Sequence, residues 1–139
     1  MKKINNKFYW VLIFLISLFL IHTFGYAQNT EVYQAKESKI VKINKNKQLD
    51  ISNWLKSSAT FEIDFQQCKF ISRNGCLINY FDIIEYEDII NDEGYKTVFN
   101  CTDSDSNINF KIKYIIFTTD NKEYFYFSYD LYTIVYLIK

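Results

Sequence analysis

The sequence predicts a mainly β protein: one small antiparallel meander of about six strands, barrel-like or a sandwich, behind an N-terminal hydrophobic helix that serves as a signal peptide. Three observations carry this. Apolar side chains alternate with polar ones over several short stretches, as in strands with one wet face. Gly- and Asn-containing turn signals separate those stretches. The last segments, Glu123–Tyr129 and Tyr132–Ile138, are dense in aromatic and β-branched residues, the types that favour strands.

The N-terminus comes first. Lys2, Lys3 and Lys7 precede an apolar run from Phe8 to Ile21, and Gly25-Tyr26-Ala27 places small residues before a cleavage site between Ala27 and Gln28. That is the three-part layout of a secretory signal peptide. The competing reading is a retained anchor, a single-pass segment with its N-terminus in the cytoplasm. Phe8–Phe24 is 17 residues, short for a hydrocarbon core of roughly 30 Å, so cleavage is favoured. Both readings export the same domain, to a secreted or periplasmic location. The chain divides into a signal at 1–27, a Lys-rich tether at 28–50 and a β-rich exported domain at 51–139.

Removing Lys2, Lys3 and Lys7 leaves 13 of the 16 basic residues against 16 acidic ones, a net charge of −3. With Arg73 as its one arginine, such a domain is a poor partner for nucleic acid. The one histidine, His22, lies inside the signal. The exported domain therefore cannot build a Ser-His-Asp triad, a Cys-His dyad or an imidazole metal site. No cofactor is implied.

Lys36, Lys39, Lys42, Lys45 and Lys47 mark the tether, read as a solvated spacer with at most one short strand, and Asp50 or Ser52 would cap a helical turn through Trp54 and Leu55. Phe61, Ile63 and Phe65 then alternate with polar neighbours. Arg73-Asn74-Gly75 is the strongest turn signal, suited to a type I′ hairpin between Phe61–Ile71 and Cys76–Glu87. In Leu77–Ile90 the polar residues Asn79, Asp82, Glu85 and Asp88 recur every third position, a helical spacing. The Ile, Tyr and Phe content and the flanking turns favour a strand instead. Asn91-Asp92-Glu93-Gly94 turns the chain into Tyr95–Cys101, Ile108–Phe117 alternates again, and Thr119–Lys122 turns into the final pair of strands, expected to be covered on both faces.

Four groups are candidate sites. Cys68, Cys76 and Cys101 sit in an oxidising compartment, so one disulfide with one thiol left over is expected. Counting through the hairpin places Cys68 opposite Phe81 and Cys101 opposite Ile84. That separates Cys68 and Cys101 by two strand spacings of about 4.8 Å, beyond the roughly 7 Å limit for a bridge, and the pairing stays open. Asp103-Ser104-Asp105-Ser106-Asn107 resembles the start of an EF-hand calcium loop, with Asp103, Asp105 and Asn107 as the oxygen ligands. Ile108 and Tyr114 stand where that loop needs Gly and Glu. Asp82, Glu85, Glu87, Asp88, Asp92 and Glu93 form an acidic block that could supply a glycosidase-type carboxylate pair or, more simply, a solvated surface. Tyr124, Tyr126, Tyr132 and Tyr136 are the best interaction candidates, because tyrosines combine contact area with a polar tip.

These readings favour a small exported module that binds a protein or a polar ligand and performs no chemistry. A carboxylate-dependent hydrolase of envelope or extracellular polymer is the alternative. A membrane-anchored structural subunit follows if the N-terminus is retained.

Overall fold

The computed structural model describes residues 30–139. The signal segment, the Ala27–Gln28 cleavage site and the start of the tether lie outside them. Eleven strands form one antiparallel sheet: β1 (Thr30–Gln34), β2 (Glu37–Ile43), β3 (Leu49–Ile51), β4 (Leu55–Lys56), β5 (Thr60–Asp64), β6 (Lys69–Asn74), β7 (Leu77–Asn91), β8 (Gly94–Asp103), β9 (Asn109–Phe117), β10 (Glu123–Ser128) and β11 (Tyr132–Leu137). Strands β5 to β11 run as a meander in sequence order. The full path is β1-β5-β6-β7-β8-β9-β10-β11-β2-β3, with β4 pairing β2.

Strands β1 and β2 flank opposite ends of the meander, yet only Ala35 and Lys36 join them. Two residues span well under 10 Å, so the sheet must curl until its two sides meet at this bend. The Ala35 N–H donates to the Ala59 carbonyl beside β5, and the Lys36 N–H donates to the Leu137 carbonyl of β11, each at 2.8 Å. Among the described residues no ladder closes the sheet. The curl gives a concave face where Phe61, Phe70, Phe99 and Phe125 are fully buried together with Ile63 and Ile112. Phe61 and Phe125 have ring centroids 5.0 Å apart, and Phe70 and Phe125 5.6 Å. Each such ring contributes about 1.5–3 kcal/mol by leaving water.

Several expectations are corrected. The strands number eleven rather than about six, partly because Phe61–Ile71 is two strands. Asp64 Oδ1 accepts the Gln67 N–H at 2.8 Å, and Cys68 takes a left-handed φ of 52°, so the chain reverses at 65–68. The stretch read as a tether supplies β1, β2 and β3. Its lysines do not oppose this, since backbone pairing with β11 makes the ladder. Trp54–Leu55 begins no helical turn: Leu55 and Lys56 pair with Ser38 and Glu37, and the described residues contain no helix. Among them, accordingly, no helix is long and apolar enough to cross a membrane.

The Asn74-Gly75 signal falls at a hairpin, but the two-residue loop is Gly75-Cys76, closed by the Asn74–Leu77 pair. Gly75 alone carries positive φ there (59°), the pattern of a type II′ turn rather than type I′. Leu77–Asn91 is a strand throughout. Its three-residue polar spacing does not mark one face, since Asp82 and Glu85 lie on the convex side and Asp88 on the concave side. The strand carries a β-bulge: Ile83 pairs Cys101 and Glu85 pairs Asn100, leaving Ile84 without a partner. One extra residue switches which parity faces inward. Before it Phe81 and Ile83 are buried; after it Tyr86 and Asp88 share the concave face with Phe99 and Thr97.

Strand β10 is central yet not doubly buried. Phe125 and Phe127 enter the core, while Tyr124 and Tyr126 lie half-buried on the convex face. Trp54 covers part of that face, 6.3 Å from Tyr124 between ring centroids, with Lys39 Nζ 4.5 Å over the indole.

Candidate functional site

The concave face opens at one end into a cavity of about 610 Å³. Alternation along β1 places Glu31 and Tyr33 there, opposite Ile63 and Phe61 of β5. The bulge at Ile84 delivers Tyr86 and Asp88 from β7. Tyr95 and Thr97 come from β8, and Tyr114 from β9 directly opposite Thr97. Ile63, Phe65 and Phe99 form its apolar floor.

The polar groups form paired hydroxyl–carboxylate units. Tyr33 Oη donates to Glu31 Oε2 at 2.5 Å. Tyr95 Oη and Thr97 Oγ1 both donate to Asp88 Oδ1, at 2.7 and 2.6 Å, and Thr97 lies 3.0 Å from the Tyr95 hydroxyl. Tyr114 Oη donates to Glu123 Oε2 at 2.8 Å. Burial raises the Tyr33 and Tyr114 hydroxyls far above the ordinary phenol range, and their carboxylate partners add to the effect. The rings form two groups along the lining. Tyr33 and Tyr114 are 5.3 Å apart, Phe65 and Tyr86 5.5 Å, and Tyr86 and Phe99 6.0 Å.

The tyrosines singled out in the sequence do not form one surface. Tyr136 is a core residue 4.9 Å from Phe61. Tyr132 stacks on Tyr129 at 4.6 Å, at the other end of the strand pair. Tyr124 and Tyr126 share the convex face, 6.2 Å apart.

The Asp103–Asn107 loop joins β8 to β9. Asp103 Oδ1 accepts the Asp105 and Ser106 N–H groups at 3.0 and 2.7 Å and the Ser106 hydroxyl at 2.9 Å. The backbone donor of Ser106 in particular holds its carboxyl below the usual range. Asp103 thus caps its own turn, with Asn107 at a φ of 59°. Among the described residues no group of three or more His, Cys, Asp or Glu could hold a metal ion.

The acidic block divides between faces. Asp88 lines the cavity, whereas Glu85 and Glu87 pair with Asn100 and Val98, residues of the other parity, on the convex side. Asp82 binds Lys69 and accepts the Ser104 hydroxyl at 3.0 Å. The Lys69 ammonium, followed by Ser104, holds its carboxyl low, the opposite of what a general acid needs.

All three cysteines are free, correcting the expected disulfide. Cys101 pairs with Ile83, and the Ile83 N–H donates to the Cys68 carbonyl at 2.8 Å. Ile83 therefore stands between them, with two strand spacings, about 9.6 Å, separating their backbones. Both lie opposite Ile83 rather than Phe81 and Ile84: for Cys68 because the hairpin loop begins one residue later than expected, and for Cys101 because the bulge leaves Ile84 unpaired. Cys76 sits at the loop itself, far along the strands. Burial, and then the Asp82 charge, push the Cys101 thiol up to about 12.

Sequence reasoning missed Glu31 and Tyr33, whose alternation was hidden inside an apparent spacer. It also missed the separate role of Asp88, which lies beyond the β-bulge at Ile84 on the opposite face from Glu85 and Glu87, with no local signal of the bulge in the sequence. Compared with known proteins, the chain matches no protein-family model, no curated protein and no solved structure.

Proposed function

We propose that this chain is a small exported module, built as an open barrel, that binds a small polar ligand in the Glu31–Tyr33–Asp88–Tyr95 cavity and performs no chemistry. One observation carries the reading: a concave, aromatic-lined cavity holds a few convergent polar groups fixed by their own hydrogen bonds. Such cavities are the usual form of small-molecule sites. The fixed hydroxyl–carboxylate pairs mean that little side-chain freedom is lost on binding.

Export rests on the N-terminal layout of residues 1–27. Cleaved, it leaves a secreted or periplasmic protein; retained, it leaves the same module outside and anchored. The convex Trp54–Tyr124–Tyr126 face is a secondary contact surface in this reading.

A melting-temperature screen of the purified protein against small polar compounds tests the proposal. Hits should raise the midpoint of the native protein and lose their effect on Thr97→Val, while Tyr126→Ala keeps it. Hits lost only on Tyr126→Ala would move the site to the convex face. A screen without hits would overturn small-ligand binding.

A further inference from the structure

We propose that the ligand of this cavity is an organic ammonium ion, an inference that rests on the cavity being a binding site. The lining offers a guest a narrow set of groups. A phenol or hydroxyl has one proton to donate. Those of Tyr33, Tyr95, Thr97 and Tyr114 are directed to the carboxylates of Glu31, Asp88 and Glu123. What these groups still present is lone pairs. The carboxylates Glu31 and Asp88 present more lone pairs, and the aromatic rings present faces of negative potential. The lining contains no Lys, Arg, His, Asn or Gln. Among the described residues neither Glu31 nor Asp88 takes part in an ion pair, although Asp82, Glu62, Asp120 and Glu123 all do.

A wall of acceptors and ring faces with two uncompensated carboxylates disfavours anions and matches a guest that donates and carries positive charge. A hydrated inorganic cation would fit poorly, since the ring faces and the floor of Ile63, Phe65 and Phe99 offer it no ligands. An ammonium nitrogen on a compact alkyl group uses both parts: its N–H groups meet the carboxylates, and its apolar body meets the rings. A neutral polyol could accept from the Thr30 and Tyr86 hydroxyls but would leave both carboxylate charges uncompensated.

The test is calorimetric titration of the purified protein with tert-butylammonium chloride and with its neutral isostere tert-butanol, at matched ionic strength. Saturable binding of the cation is expected, with the neutral isostere weaker by about tenfold or more and the cation weakening as salt is added. Asp88→Asn, which keeps an acceptor for Tyr95, should weaken the cation by about tenfold and leave tert-butanol unchanged; Glu31→Gln serves as a second variant should the Asp88→Asn change perturb folding. Equal binding of both compounds would overturn the ammonium assignment while leaving the cavity a ligand site. Cation binding that survives both substitutions would overturn it too. If tert-butylammonium fails while other compounds stabilise the protein through Thr97, only the ligand class is wrong. If nothing binds at all, the binding reading falls with it.

Discussion

Ile84 stands unpaired in the β7–β8 ladder, and beyond it Asp88 lies on the concave face, where Tyr95 and Thr97 reach it. Ile84 itself is 68% exposed, so its side chain matters little. Ile84→Thr should change stability by no more than about 0.5 kcal/mol. Deleting Ile84 would join Ile83 to Glu85 in strict pairing, with Asp88 still opposite Thr97 on the concave face, so it too should cost no more than about 1 kcal/mol. Urea unfolding of the two variants checks this. A deletion far costlier than the substitution would mean that the bulge itself, and not the alternation on either side of it, holds Asp88 in place.

The two described glycines should behave differently when replaced by alanine. At Gly94 (φ 147°) an added Cβ would lie 2.0 Å from the Ile116 carbonyl oxygen, whereas at Gly75 (φ 59°) it would meet nothing within 4 Å. Gly75→Ala should therefore cost only the left-handed strain, about 1–2 kcal/mol. Gly94→Ala should cost clearly more, because the β8 and β9 backbones must separate. Denaturant midpoints of both variants give the order directly.

Thiol chemistry should sort the cysteines by burial. Cys68 and Cys76 are exposed and Cys101 is 2% exposed with its thiol pushed up to about 12, so thiolate is scarce there at neutral pH. Native protein should take up two equivalents of alkylating reagent quickly and the third only on unfolding. Peptide mass mapping would locate them; rapid labelling of Cys101 would contradict the packing around Ile83.

Alkaline pH should destabilise the fold. Burial first, and then the Glu31 and Glu123 partners, raise the Tyr33 and Tyr114 hydroxyls above the phenol value of about 10 that the unfolded chain keeps. The native state thus holds these protons where the unfolded state releases them. Their contribution is complete below about pH 10 and is lost as pH rises further. Urea midpoints should fall from pH 9 to pH 11, and Tyr33→Phe should flatten that fall while lowering the midpoint at pH 8.

Much of the fold was legible because strand burial follows a period of two. The alternations at Phe61–Ile63, Phe110–Tyr114 and Tyr124–Phe127 mark their strands without help from the rest of the chain. What was not legible depends on partners distant in sequence. β1 and β2 look like spacer because their pairing is supplied by β5 and β11, and no local pattern announces those neighbours. The turn at 65–68 rests on the Asp64 cap and a left-handed Cys68, neither of which stands out among apolar flanks. The cavity was hidden for the same reasons, since Thr30, Glu31 and Tyr33 come from β1 and Tyr86 and Asp88 from beyond the bulge in β7.

Amide NMR spectra of the nitrogen-labelled protein, titrated with the compounds that raise its melting midpoint, test the central claim most directly. Shifts concentrated on Glu31, Tyr33, Tyr86, Asp88, Tyr95 and Thr97 are the predicted result. Shifts confined to Trp54, Tyr124 and Tyr126 on the convex face would contradict the account.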